Sequence, residues 1–278
     1  MSVWVSGIGV SSVIGLDLGG KMGFEAVESV GPFGVGAAEP VVDRGQALLT
    51  GSLLQPETAG FQDRLGEVRR RIAASSLDPG SVRLVAVTKG FGPEAARLAL
   101  DAGLTELGEN YADELVVKAE EVAGDGYGAG RPIWHFLGSV QRNKVARLAP
   151  LVSWWQGVCR LEEGRTIARR RPGSSVLVQV DVAGLPGRGG SPPGQVPELV
   201  GALRDEDLVV AGLMAVGPPG QPEASRSGFA LVSSMADALD LPVRSMGMSD
   251  DLEVALSEGS TMVRVGRALF GDRSPGSR

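Results

Sequence analysis

Apolar residues along this chain follow two alternating periods. Phe61, Leu65, Val68 and Ile72 recur at helical spacing with charged residues between them, which predicts an amphipathic helix from Glu57 onwards. Asp78-Pro79-Gly80 makes a turn. Val82 to Thr88 is a near-continuous apolar run that ends in Lys89, the pattern of a strand buried on both faces of a parallel sheet. Gly90-Phe91-Gly92-Pro93 leaves it, with the proline suited to the first turn of a helix over 93–102. The same strand–loop–helix unit then repeats. Strands are expected over 104–107, 133–137, 151–155, 175–182, 208–214, 243–246 and 261–265. Helices are expected over 111–122, 141–148, 160–171, 195–203, 224–239 and 250–258.

This makes eight alternations in about 215 residues. Strict alternation implies parallel pairing with right-handed crossovers. Eight units is the count of a closed (β/α)8 TIM barrel, and the length suits one. An open doubly wound sheet is the alternative, weakened because no G-x-G-x-x-G opens the first helix. The chain divides into three parts. Residues 1–56 are rich in Gly, Val and Ser and show no sustained period, so a poorly ordered extension is expected there. Residues 57–273 form the barrel, and 274–278 a short tail.

Composition narrows the function. Net charge is −6, which argues against non-specific binding to nucleic acid or to anionic membrane. One cysteine and one histidine exclude an internal disulfide framework and disfavour a His/Cys metal site. No apolar run reads as a transmembrane helix. The run from Val3 to Leu18 contains Asp17 and follows no basic residue, unlike a signal peptide. A cytoplasmic setting is expected.

In a (β/α)8 barrel the chemistry sits at the C-terminal ends of the strands. Here those ends offer Lys89, Asn110, His135, Gln179 with Asp181, Met214, Ser249 and Arg264. A lysine ending a buried strand is placed to form a Schiff base, given help to lose its proton from a free value of ~10.4; the plainer alternative is a solvated surface lysine. Ser249, before Asp250-Asp251, either caps a helix or joins backbone N–H groups in a phosphate cradle. Gly266 would let backbone approach the same ligand. His135 on an apolar strand is commonly a satisfied core residue. Asn110 can cap the helix that follows it. Arg169, Arg170 and Arg171 suit a solvated helix end.

Taken together, Lys89, Gly108-Glu109-Asn110-Tyr111, Trp134-His135-Phe136-Leu137-Gly138, Gln141-Arg142-Asn143-Lys144, Gly247-Met248-Ser249-Asp250 and Met262-Val263-Arg264-Val265-Gly266 resemble the pyridoxal phosphate homeostasis proteins, also called PROSC-like. The resemblance runs from about Glu57 to Arg273. It implies a single barrel like the N-terminal domain of alanine racemase, binding pyridoxal 5′-phosphate (PLP) as a Schiff base on Lys89. It matches Ser249, Gly266 and Arg267 to phosphate-binding positions and Arg264 to the pyridine nitrogen. It also matches Asn110, His135 and Met214 to the pocket wall. The implied role is PLP homeostasis, vitamin B6 buffering or carriage to apo-enzymes, without robust catalysis; a monomer is expected because no second domain is foreseen to build a racemase-type dimer site. Weak amino-acid racemase activity is the alternative. A phosphosugar enzyme using Lys89 is a third. Only five residues follow Arg273, and Tyr111 and Tyr127 are the only tyrosines, so the racemase's second domain and catalytic tyrosine are not expected. Two segments depart from the family pattern: Gly157-Val158-Cys159, and Arg188-Gly189 where a lysine usually precedes the glycine.

Overall fold

The computed structural model describes residues 56–126, 131–185 and 189–272. Residues 1–55, most of the expected extension, and the tail lie outside that range, as do Tyr127 and Arg188. Eight parallel strands close into a barrel in chain order. They are β1 (Arg83–Val87), β2 (Glu106–Glu109), β3 (Ile133–Phe136), β4 (Val152–Val158), β5 (Ser175–Val180), β6 (Val209–Ala215), β7 (Val243–Ser245) and β8 (Met262–Val265). β8 returns to β1 with Val85 opposite Arg264, which closes the barrel.

The helices are α1 (Pro56–Ser75), α2 (Pro93–Asp101), α3 (Ala112–Ala123), α4 (Val145–Leu148), α5 (Leu161–Arg170), α6 (Val196–Arg204), α7 (Arg226–Ala238), α8 (Leu252–Ser257) and α9 (Arg267–Phe270). α1 precedes the barrel and buries Phe61, Leu65, Val68 and Ile72, the four positions set by its period. Pro93 opens α2 with Glu94 in the first turn, and Gly103 at φ 79° ends it, the usual pairing of proline start and glycine stop.

Two apolar cores result from the alternation of side chains along each strand. The larger lies between sheet and helices and includes Leu107, Trp155, Val178, Leu213 and Phe229. The smaller fills the barrel with Val85, Leu177, Met214 and Met262. Most elements match the expected bounds to within two residues, with larger differences or additions at β4, α4 and α9. β2 begins and ends two residues later than the apolar run: it starts at Glu106, inside the expected range, and runs on to Glu109, whose buried carboxylate is met by Thr88. β4 runs on to Val158 through Gln156, a polar side chain buried in the barrel. α4 is one turn, since 142–144 form a turn before it. α9, four residues long, has no sequence period of its own. Among the described residues no helix is long and apolar enough to cross a membrane.

Candidate functional site

A cavity of about 580 Å³ opens at the C-terminal ends of the strands. Lys89 lies two residues past β1 on its wall, with Asn110 after β2, Met214 on β6, Ser249 after β7, Arg264 on β8, and Gly266 and Arg267 beyond it. Seven of the eight expected site residues therefore share one wall.

His135 is the exception and corrects the sequence expectation. It sits within β3 rather than at its end and is fully buried, below the cavity and not among its lining residues. Its ring stacks on Trp154 with centroids 5.8 Å apart. Its Nε2 meets Glu106, and its Nδ1 lies 2.7 Å from Gln156 Nε2. Burial pushes the imidazole below its ordinary value, against the pull of Glu106. Burial also works to raise the Glu106 carboxyl, but His135 and Arg83 outweigh it and hold the carboxyl low.

Both shifts have the same sign for stability. Unfolded His135 takes up a proton near pH 6.5, while the folded imidazole resists it. The unfolded chain then binds more protons, so stability falls as pH drops below about 6.5. The expected loss from this one group is at most about 1.4 kcal/mol per pH unit. Urea unfolding of wild type and His135→Gln at pH 7.5 and 5.5 checks it: the variant should show the shallower dependence.

Lys89 is held from both sides. Thr88 N donates to Gly108 O at 3.0 Å, and Thr88 Oγ1 donates to Glu109 Oε1 at 2.7 Å. Lys118 Nζ donates to Thr88 O at 2.8 Å and to Glu109 Oε1 at 2.5 Å. Gly90 N donates to Glu114 Oε2 at 2.8 Å. Burial raises the Glu109 carboxyl while Lys118 and Thr88 pull against it. Gly90, at φ 72°, takes the left-handed turn that glycine favours, and Phe91 after it returns to the cavity wall. Sequence reading missed this clamp. Its one local signal is the i, i+4 spacing of Glu114 and Lys118.

The two capping alternatives do not hold. Ser249 is not the N-cap of α8, which is Asp251; its Oγ instead accepts from Ala268 N at 3.1 Å. That leaves its hydroxyl proton to donate into the cavity. Asn110 is not the N-cap of α3, which is Tyr111. Asn110 Oδ1 is buried with no hydrogen-bond donor facing it, an acceptor that costs free energy until a donor arrives.

Arg264 is buried, and burial lowers its guanidinium to about 10 against the opposing pull of Asp251. It donates to Ser245 O at 2.6 Å, Ser245 Oγ at 2.7 Å and Ala215 O at 2.8 Å. It stays protonated at neutral pH but touches no carboxylate in these bonds. A buried cation held by dipoles alone favours an electron-rich partner. The Arg267 guanidinium pairs with Asp250, so at the Ser249 end it is backbone and hydroxyl that remain for an anion.

A second hollow of about 370 Å³ shares Lys89, Asn110 and Met214 with the first and reaches Gln179 and Asp181. Cys159, from the first segment that departs from the family pattern, lies elsewhere, beside Arg160 and Ser191.

Comparison with known proteins adds to this geometry. The alanine racemase N-terminal domain family matches residues 64–274. The pyridoxal phosphate homeostasis protein of Pseudomonas aeruginosa is 37% identical over 219 residues, covering 76% of this chain and 93% of that protein. PipY of Synechococcus elongatus, solved with PLP bound, superposes with a TM-score of 0.61 at 29% identity, covering 73% of this chain and 100% of the other. The same protein without PLP gives a TM-score of 0.68 at 28% identity, covering 76% and 100%.

Proposed function

This chain belongs to the pyridoxal phosphate homeostasis proteins, on the barrel of the alanine racemase N-terminal domain family, and from that premise we propose that it binds PLP at the mouth of its barrel and buffers or carries it. One observation carries the reading. A lysine, a buried arginine that bonds no carboxylate and a serine whose oxygen accepts from backbone converge on one cavity large enough for a pyridine ring and a phosphate. When bound, PLP supplies an aldehyde that condenses with an amine and a ring that can withdraw electrons.

The residues fit that group. Lys89 is the amine that forms the Schiff base. Ser249 donates to the phosphate, with backbone at Gly266 and Arg267 beside it. A Cβ at Gly266 would crowd Val87 O at 3.1 Å, so the backbone approach there depends on glycine. Arg264 faces the ring nitrogen and keeps it unprotonated, because a guanidinium donates a hydrogen bond but yields no proton at neutral pH. Asn110 lines the same cavity. Met214 and Leu137 supply apolar wall.

An unprotonated ring is a weak electron sink, which favours holding the cofactor over using it. Racemase chemistry would also need a second proton-transferring group. Tyr111 is 58% exposed at the start of α3 and does not line the cavity. We therefore read the protein as a monomeric cytoplasmic carrier that hands PLP to apo-enzymes, with weak racemase activity as the alternative. L- to D-amino-acid turnover well above free PLP, lost in Lys89→Ala, would favour that alternative.

Titration of the protein with PLP, followed by absorbance, tests the proposal. A yellow complex with about one PLP per chain is expected. A colourless protein would overturn it, as would equal saturation by a sugar phosphate. Ser249→Ala should weaken PLP about 10-fold or more, the worth of one hydrogen bond to a charged group, and leave pyridoxal binding unchanged. Equal losses for both ligands would place Ser249 away from the phosphate.

A further inference from the structure

Five polar side chains cross the interior of the barrel in single file. Glu106 opens β2 at the N-terminal end, and its carboxylate meets Arg83 and His135 Nε2. Gln156 Nε2 lies 2.7 Å from His135 Nδ1. Ser245 Oγ lies 2.7 Å from Gln156 Oε1. Arg264 NH1 lies 2.7 Å from Ser245 Oγ, and Arg264 is in the cavity wall. His135, Gln156, Ser245 and Arg264 are all buried.

The protons in this chain can be placed. Arginine has only donors, so Ser245 Oγ accepts from Arg264 and spends its own proton on Gln156 Oε1. That fixes the amide orientation, with Nε2 towards His135 Nδ1 and, at 3.1 Å, Met262 Sδ. His135 Nδ1 must then accept, and Nε2–H must donate to the Glu106 carboxylate. Every donor points from Arg264 towards Glu106. One end is a cation, the other an anion, and each link admits one proton arrangement. A chain aligned in this way polarises along its length.

We propose that Gln156 and His135 are positioning residues for the cofactor pocket: acting through Ser245, they hold the Arg264 guanidinium in one orientation and tie it to Glu106 at the opposite end of the barrel. This rests on the reading of the cavity as the PLP site. It gives His135 a role although the imidazole never reaches that cavity. Stacking on Trp154, itself 4.4 Å from the Arg83 guanidinium, fixes the ring plane that the chain requires. Any ligand that draws on Arg264 is then felt at His135.

His135 is the single histidine, so its ring nitrogens give unambiguous signals in ¹⁵N-labelled protein. Without PLP, a neutral imidazole protonated at Nε2 is expected. On adding PLP to wild type, both ring signals should shift, although His135 is not in the cavity wall. Gln156→Glu keeps the volume but removes the donor to Nδ1. It should leave His135 doubly protonated at neutral pH, between two carboxylates. Gln156→Leu should weaken PLP about tenfold, the order expected when a buried polar partner is lost. If that variant does not fold, the Gln156→Glu spectrum and the wild-type response still decide. An Nδ1-protonated ring, a neutral His135 in Gln156→Glu, or PLP uptake with no change at His135 would each overturn the inference while the PLP reading stands. No PLP uptake by wild type would overturn the reading and the inference with it.

Discussion

Lys89→Ala is expected to yield a folded protein to which borohydride fixes no PLP. The reason lies in how the lysine is held. Its neighbours Thr88 and Gly90 are tied to Glu109, Lys118 and Glu114, so the backbone keeps its course without the side chain. The residue is only half-buried, and the loss in stability should stay within about 1 kcal/mol. The proposed phosphate end, Ser249 and backbone at Gly266, is untouched. PLP should therefore still bind, but reversibly and about a hundredfold more weakly, or ~2.7 kcal/mol. Mass spectrometry after reduction measures the covalent part, and equilibrium dialysis the remainder. Stoichiometric reduction of PLP onto the variant at another lysine would show that Lys89 is not the anchor.

Gly138→Ala carries the second large effect, and here the cause is space. Gly138 follows β3, and a Cβ there would fall well inside 3.0 Å of Asn110 O, backbone that cannot swing aside like a side chain. The next strand repeats the crowding, since a Cβ at Gly157 would meet Gly138 O. The turns after β2 and β3 and the last residues of β4 thus stack on one another. Forcing a methyl into that stack should cost about 2–3 kcal/mol, the upper range for overpacking. In a protein of this size the melting temperature should fall by roughly 4–12 °C. The strain falls on Asn110, so PLP affinity should also drop, by about tenfold (~1.4 kcal/mol). Thermal unfolding and a PLP titration of the same sample check both. A wild-type melting temperature would mean that the Asn110 turn yields freely.

The departures from expectation share one physical origin. Glu106 interrupts the apolar run of β2, and Glu109 and Gln156 look like loop residues, because a lone polar side chain is costly to bury. Each is affordable only because a partner from another strand or helix meets it: His135 and Arg83 for Glu106, Lys118 and Thr88 for Glu109, Ser245 and His135 for Gln156. Those partners lie 9 to 89 residues away in the chain. No local window contains them, so β2 was placed too early and β4 stopped too soon.

The sequence by itself pointed to the barrel and named seven residues that line one cavity. Alternation of apolar periods needs only the spacing of side chains on helices and strands, and the count of eight units favoured a closed barrel over an open sheet, which the pairing of β8 with β1 then decided. It also placed Lys89 at the end of β1, and the motifs around Asn110, Ser249 and Arg264 were enough for the family resemblance. The tertiary structure decided what those residues face. It drew seven of the eight candidates onto one wall and left His135 beneath it. It took Ser249 out of the helix-cap position and placed it in the cavity wall, its oxygen accepting from Ala268 N. It also revealed the clamp on Thr88 and Gly90 and the aligned chain from Arg264 to Glu106. Hydrogen bonds and buried charges depend on distance in space, and the barrel sets those distances only when its last strand returns to its first.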